Sequence, residues 1–261
     1  MKEWIERIGR YVITQSTAIW QTLRFAFYLV MLMGDSKSYN SAMKLVLVRQ
    51  IYFTAVQVLP LFLGLSILLG AVVSATLLSA LNSFNLLSML GDVIIGVVVN
   101  ELSPFVTVLL IALRSSSAIN AEIAVMKVDG ELETLRAFAI DEARYLYLPR
   151  LLGAMVSTFL LSALFSFVFI GCTLLFGFLA LEQGIDAQMA ILIKAVDFSD
   201  IAILSIKSLT FGLFAAMIPI MSGMAAPREM TAIPIAVLEG MVKVFIAIIL
   251  IEVISLALRL I

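Results

Sequence analysis

The chain has 261 residues, of which 62% are hydrophobic and 13% charged, with a formal net charge of −1. Charged residues make up about 25% of an average soluble domain, and the mean hydropathy of this chain is +1.13. The composition excludes a disordered chain, a nucleic-acid-binding protein and an ordinary cytosolic enzyme. It indicates a protein whose apolar side chains face a lipid bilayer.

The residue types that carry most chemistry are scarce in this sequence. It has no histidine, which removes the commonest general base and the commonest metal ligand. Its single cysteine, Cys172, can form neither an internal disulfide nor a thiolate metal cluster. The sequence has no G-x-x-x-x-G-K-[ST] phosphate loop. We therefore expect no metal, no cofactor and no ATPase site in this chain.

Residues 1–32 mix basic and aromatic side chains in a pattern typical of a helix that lies in the membrane interface. A cleavable signal peptide would instead cluster its positive charges ahead of one apolar core. The alternative is a partly inserted helix that packs on the rest of the protein. We treat residues 1–50 as an N-terminal interfacial segment. The residues that form the pattern are Lys2, Trp4, Arg7, Ile8, Arg10, Trp20, Arg24 and Phe25.

The remainder, residues 51–261, contains five apolar stretches long enough to cross a bilayer as helices, which predicts an all-α integral membrane protein. The polar turn Asn82–Asn85 predicts a re-entrant or loop segment at 80–92. Pro104 lacks a backbone donor and predicts a kink in the second span, or a short helix joined to a longer one. A polar loop is expected between spans three and four. The predicted spans are 52–78, 93–125, 151–181, 201–223 and 235–258.

Lysine and arginine are unevenly divided between the two sides that five spans define. They concentrate in residues 1–50 and 114–150, whereas the opposite side holds Lys194, Lys207 and Arg259. Cytoplasmic loops are enriched in these residues. We therefore expect the N-terminus in the cytoplasm and the C-terminus outside. The sequence shows no internal repeat, which weighs against the inverted-repeat secondary transporters.

Ionisable side chains within predicted spans are costly in lipid and are often functional. Glu101 either contributes to function or caps the helix that follows Pro104. Glu252 has no local partner and faces either a cavity or a subunit interface. Glu239 and Lys243 are four residues apart, which predicts a local ion pair near the cytoplasmic end of span five.

A second group of polar residues lies near the cytoplasmic end of the second predicted span. Arg114 and Glu122 are eight residues apart and share one helix face. Each alone is best explained as an anchor that reaches the interface or pairs with another helix. Ser117 and Ala121 are small residues four apart, a spacing that lets helices approach closely. This spacing indicates either packing within the chain or a tight bundle around a gate.

The most polar internal stretch, residues 129–150, has the features of a short amphipathic helix. Glu131 and Glu133 lie in its first turn, where negative charge is stabilised. Such a helix on the cytoplasmic side either docks a soluble partner or lies in the interface without one. The apolar residues that recur at helical spacing on one side are Leu132, Leu135 and Ala139.

Four segments in chain order resemble the MlaE/YrbE family of ABC transporter permeases: ELSP at 101–104, RSSSAINAEI at 114–123, LRAFAID at 135–141 and RYLYLPR at 144–150. The ordered motifs are specific in combination, whereas any one of them alone is weak. The sequence departs from the family pattern at several positions, which indicates a divergent member, and the usual Glu-Gln of the coupling segment appears as Gly130-Glu131. Family glycines are replaced by Ser103, Leu113, Ser116 and Ala124, a family arginine by Asn100, and a family proline by Glu142.

The resemblance implies one permease domain, 1–261, in a bacterial inner membrane. The complex would move phospholipids or related lipids between the inner and outer membranes. Two permease copies would pair at its centre, and a separate cytoplasmic ABC ATPase dimer would use the ATP. A periplasmic MCE-domain lipid-binding protein and a small STAS-domain protein would complete the assembly.

The same resemblance assigns roles to individual residues. The ATPase would dock on a coupling segment at about 129–142. The lipid would occupy a cavity between the two copies, with Asn100 and Glu101 in its wall. Structural or gating roles would fall to Arg114, Ser117 and Glu122. The residues expected to couple to the ATPase are Glu131, Leu132, Leu135, Arg136, Ala139 and Asp141.

The alternative function is an ATP-independent secondary transporter or channel that uses Glu101, Arg114 and Glu252 along a polar path. It predicts ion-dependent activity without an ATPase partner. The sparse intramembrane charge weighs against it. An intramembrane enzyme is disfavoured because the scattered carboxylates offer no credible catalytic pair.

Overall fold

The computed structural model describes residues 24–25, 27–181 and 184–260, and all regular secondary structure within them is helical. The interfacial helix predicted at 1–32 lies mainly outside the described residues, although residues 27–33 are helical. A helical segment of membrane-spanning length begins at Ser41, before the predicted boundary at residue 50. Asn40 caps this helix by accepting a hydrogen bond from the Met43 amide.

Five helical segments of the described chain are long and apolar enough to cross a membrane, which confirms the predicted number and order of spans. The protein is therefore an all-α integral membrane protein. We refer to these segments as spans one to five: Ser41–Ser83, Leu87–Val128, Ala143–Leu179, Phe198–Ala225 and Ala232–Arg259.

The spans combine α-helix with shorter stretches of other helix types. Four of these stretches are π-helical: Tyr52–Val56, Ile94–Leu102, Ala112–Ser116 and Ala143–Tyr147. One is a short 3-10 helix, Leu87–Met89, and a second 3-10 helix, Ser36–Ser38, precedes span one. The α-helices are α1 Ser41–Ile51, α2 Leu59–Ser83, α3 Leu90–Val93, α4 Ser103–Ile111, α5 Ser117–Val128, α6 Glu131–Ala137, α7 Leu148–Leu181, α8 Ile185–Ala195, α9 Phe198–Ala225 and α10 Ala232–Leu260.

Spans one and two are joined by a tight turn, so the re-entrant or loop segment expected at 80–92 is wrong. Span one is helical to Ser83, and span two begins at Leu87. Asn85 between them has a φ of 55°. Asparagine tolerates this left-handed conformation better than most residues, which explains how so short a connection reverses the chain.

Pro104 does not divide span two into separate helices. The span is helical from Leu87 to Val128, and Pro104 lies in the first turn of α4. The wider π-helical turns of Ile94–Leu102 come directly before it. Proline is tolerated in the first turn of an α-helix, so the change of helix type at this point accommodates the missing donor.

The polar loop predicted between spans three and four contains the helix α8. Its buried residues Gln188 and Leu192 are four apart and face the bundle. At Gly91 of span two, an added Cβ would lie 2.8 Å from the Ile191 carbonyl oxygen of α8. The close approach of the two backbones therefore requires a glycine. The charged residues of α8 led to the prediction of a loop, although the helix is amphipathic.

Hydroxyl groups join neighbouring spans inside the bundle. Ser103 of span two donates a hydrogen bond to the Ser162 carbonyl of span three. Ser116 of span two donates to the Ala215 carbonyl of span four. Both serines are fully buried. These hydrogen bonds connect span two to spans three and four.

Span four packs tightly on span three at Gly212. A Cβ added there would lie 2.6 Å from the Met155 Cα. We expect Gly212→Ala to lower the free energy of unfolding by about 1–3 kcal/mol, because an overpacked core must shift backbone. Unfolding in detergent micelles measures the effect. Gly171→Ala is the matched control, because nothing lies within 4 Å of its Cβ position, and a loss equal to that of Gly212→Ala would contradict the packing argument.

Candidate functional site

Lys207 of span four is buried between two carboxylates from other spans. Its side chain is only 3% exposed. The ammonium group donates a hydrogen bond to Glu101 of span two. It also lies 2.9 Å from the Oε2 atom of Glu252 of span five. One cation therefore connects three spans, and Glu252 has the partner that its own helix could not provide.

Arg259 of span five completes this group. Its guanidinium donates to the Gly96 carbonyl and lies 3.3 Å from the Oε1 atom of Glu101. A Cβ added at Gly96 would lie 2.7 Å from a guanidinium nitrogen, so the glycine makes room for the arginine. We call Glu101, Lys207, Glu252 and Arg259 the buried ion cluster.

The buried ion cluster lies within the membrane-length helices, at the end of the bundle that also holds α8. Lys207 is nine residues into span four, or about 14 Å from its start at an α-helical rise. Two carboxylates and two cations give the group no net charge. Neutrality matters because a buried charge without a partner is strongly destabilising.

Asn100 is fully buried beside the cluster and bonds to a different partner. Its Nδ2 atom donates to the Oδ1 atom of Asp200 at 2.6 Å. Asp200 belongs to the capping box that begins α9 with Asp197. Asn100 therefore contacts the start of span four, whereas Glu101 next to it contacts Lys207 and Arg259.

Sequence reasoning identified Glu101 and Glu252 but missed their partners. Lys207 is 106 residues from Glu101, and Arg259 is 158 residues from it. Neither separation leaves a local pattern. The one available signal was a lysine inside an apolar stretch that also lacked a partner on its own helix.

The short helix predicted between spans two and three is present as α6. Gly130 precedes it with a φ of 76°, and Leu132 is buried against the ends of the neighbouring spans. Leu135 is half-buried. The predicted apolar face is wrong at Ala139, which lies beyond the helix, is exposed and has a φ of 55°.

Ion pairs fix the residues that follow α6. Arg136 donates to both oxygens of Glu142, and this hydrogen bonding raises the pKa of the Arg136 guanidinium. Glu142 also accepts a hydrogen bond from the Tyr147 hydroxyl at 2.9 Å. Asp141 accepts from the Ala143 amide, where span three begins. The segment is therefore attached firmly to span three.

Two further ion pairs attach the same segment to its surroundings. Arg144 pairs with Asp35 at 2.8 Å, which joins span three to the N-terminal residues. Arg228 pairs with Glu133 of α6, which joins α6 to the connection between spans four and five. Glu131 is exposed, and no ion pair to it occurs among the described residues.

A groove of about 360 Å³ opens beside this segment. Its lining includes aromatic, methionine and arginine side chains, which are enriched at protein–protein interfaces. Next to it, Phe138 is 74% exposed. The lining residues are Phe25, Tyr28, Arg136, Ile140, Asp141, Glu142, Ala143, Tyr147 and Met224.

The structure does not bring Arg114, Ser117 and Glu122 together through bonds. Glu122 pairs with Arg150 of span three at 2.8 Å. Ser117 donates to the Leu113 carbonyl of its own helix. Arg114 is exposed, and within the described parts of the chain it forms no ion pair. Glu122 thus serves as a contact between spans, as its anchor interpretation expected.

The family described as Permease MlaE matches residues 47–258, which include α6, spans two to four and most of spans one and five. The chain belongs to the MlaE permease family. The match includes the four motifs, the buried ion cluster apart from Arg259, and the groove apart from Phe25 and Tyr28. The resemblance stated from the sequence is thereby confirmed.

Individual relatives are more distant. The chain is 34% identical over 119 residues to the intermembrane phospholipid transport system permease protein MlaE of Haemophilus influenzae, and this match covers 46% of each chain. It is 24% identical over 177 residues to a probable ABC transporter permease protein of Rickettsia typhi, covering 68% of each chain. A relative from Rickettsia felis with the same description is 28% identical over 111 residues, or 43% of its length. The chain thus spans about half the length of some of the curated relatives it matches.

The buried ion cluster predicts a strong dependence on Lys207. We expect Lys207→Met to lower the free energy of unfolding by about 3–5 kcal/mol, because it leaves Glu252 without a cation and Glu101 with only its longer contact to Arg259. Adding Glu252→Gln should restore part of the loss. The measurement is unfolding in detergent micelles. Lys194→Met, at an exposed position of α8, is the control, and a Lys207→Met protein as stable as that control would contradict the account.

Proposed function

We propose that this chain is the permease subunit of an ABC transporter that moves phospholipids or related lipids between the inner and outer membranes. A separate ATPase subunit supplies the energy. One observation carries this proposal: in a chain of the MlaE permease family, a short helix, α6, connects spans two and three. Ion pairs hold this segment in place, and its neighbour Phe138 is exposed.

The proposed location is a bacterial inner membrane with the N-terminus in the cytoplasm and the C-terminus in the periplasm. Basic residues concentrate at the end of the bundle that holds α6. Cytoplasmic loops carry an excess of lysine and arginine. The same distribution puts α6 and its groove in the cytoplasm, where an ATPase can reach them, and puts the buried ion cluster in the outer half of the membrane.

The proposed coupling route runs from the ATPase through α6 into spans two and three. Phe138 and Ile140 provide exposed apolar surface for an ATPase contact. The bonds of Arg136 to Glu142, and of Asp141 to the start of span three, make α6 and span three move together. A movement of the ATPase dimer on ATP binding would therefore tilt these spans directly.

A second permease copy is the proposed partner of span five. In the most apolar 18-residue stretch of span five, only 11% is buried in the single chain. The corresponding share is 33–50% in spans two to four. A span with so little contact to its own bundle has a large surface left for another chain or for lipid. We place the lipid between the two copies, with Asn100 and Glu101 at the outer part of its cavity.

The remaining proposed partners follow from the family. A periplasmic MCE-domain protein would receive or deliver lipid at the end of the bundle that holds α8. A STAS-domain protein would bind the ATPase. ATP is used by the partner subunit, and the permease itself contributes no catalytic group in this proposal.

The alternative secondary transporter requires a polar path through Glu101, Arg114 and Glu252. Glu101 and Glu252 share Lys207, whereas Arg114 has no bond to this group among the described residues. The path is therefore interrupted, and the arrangement favours the ATP-driven permease.

Docking through α6 predicts an uncoupling phenotype. Phe138→Asp and Glu131→Lys should each reduce ATPase binding and ATP-driven lipid transfer by about tenfold or more, because interface centres depend on a few apolar and charged contacts. Both residues are exposed, so the permease should stay folded. Co-purified ATPase and transfer between liposomes are the readouts. Glu229→Lys, an exposed charge reversal in the next loop at the same end, should leave both unchanged.

Pairing through span five predicts selective cross-linking. Ile246→Cys, placed in a Cys172→Ala background, should give a disulfide-linked dimer in native membranes, because Ile246 is 53% exposed on span five. Phe167→Cys on span three, where the native side chain is 75% exposed, should stay monomeric. Equal cross-linking at both positions would contradict a defined interface.

A further inference from the structure

Span five carries two opposite charges that have no partner among the described residues. Glu239 and Lys243 are one helical turn apart and both are exposed. The local ion pair predicted from their spacing does not form, and neither side chain has an ion pair or hydrogen bond to any described residue. Lys243 is eleven residues into span five, or about 17 Å from its start. Charges at such positions are costly in lipid unless they are paired.

The rotation of span five about its axis is fixed by contacts of Ala236 and Gly240 with spans two and four. Ala236 accepts hydrogen bonds from Asn120 at 3.1 Å and from Ser222 at 2.9 Å. A Cβ added at Gly240 would lie 2.1 Å from the Asn120 Nδ2 atom. Span five therefore cannot turn to bring its charges into its own bundle.

The residues around the two charges form an exposed apolar surface. Leu238 is 68% exposed, Val242 51% and Ile246 53%. The surface thus consists of apolar side chains with one carboxylate and one ammonium group. A patch with both signs one turn apart is complementary to a two-fold copy of itself, because each group meets the opposite group of the other copy.

We propose that Glu239 of one copy pairs with Lys243 of a second copy, so that two ion pairs fix the register of span five against its partner. The proposal rests on the homodimer proposed above and names the residues that specify it. The two positions differ by about 6 Å along the helix, a distance that a lysine side chain can span. Charged residues beside the seam of two packed helices set partner choice in the same way.

The test separates pairing between chains from pairing within one chain. Glu239→Lys gives a chain with cations at both positions, and Lys243→Glu gives a chain with carboxylates at both. Neither variant can form a Glu–Lys pair within itself or with its own copy. A mixed dimer of the two variants restores both pairs between chains and none within a chain.

The experiment co-expresses full-length chains carrying two different affinity tags and measures how much of one tag is recovered through the other. We expect each variant alone to recover roughly tenfold less than wild type, and the mixture to approach wild type. Recovery in the mixture also shows that both variants fold. Low recovery in the mixture, or full recovery of each variant alone, would overturn the ion pairs.

The outcomes of this experiment distinguish failure of the ion pairs from failure of the proposed homodimer. Wild-type chains that dimerise but show no rescue in the mixture would overturn the ion pairs and leave the homodimer intact. Wild-type chains that recover no partner at all would overturn the homodimer and the ion pairs together.

Discussion

A lysine buried between two carboxylates joins three of the five spans. Lys207 contacts Glu101 of span two and Glu252 of span five, and Arg259 balances the remaining charge. The bilayer interior imposes this arrangement, because an unpaired charge at that depth costs far more than a paired one. The positions of spans two, four and five relative to one another depend on keeping the cluster neutral.

Close backbone contacts and hydrogen bonds determine how the remaining helices pack. Lipid supplies no hydrophobic force between helices, so the bundle relies on small residues and hydrogen bonds. Gly212 and Gly223 bring span four against spans three and two, and buried serines donate to carbonyls of neighbouring spans. Span five has the least contact with its own bundle, which leaves it as the surface where another copy is proposed to bind.

The number of spans, their order and the short helix α6 could be predicted because hydropathy and local charge encode them. The turn at Asn85 could not be predicted, because it depends on the backbone conformation of a single residue. The helix α8 could not be predicted either, because it depends on packing against span two. Glu101 was found from its depth in an apolar stretch, whereas Lys207 and Arg259 became its partners only when distant spans were brought together. The family motifs predicted a coupling role for the segment that contains α6, and its apolar face ends earlier than the spacing of Leu135 and Ala139 indicated.

The most direct test of the central claim is affinity purification of the chain, mildly solubilised, from its native membrane. Co-purifying proteins and extracted lipids are identified by mass spectrometry. The account predicts an ATP-hydrolysing subunit and bound phospholipid in the purified complex. Recovery of the chain alone, with ion-driven activity after reconstitution into liposomes, would contradict it.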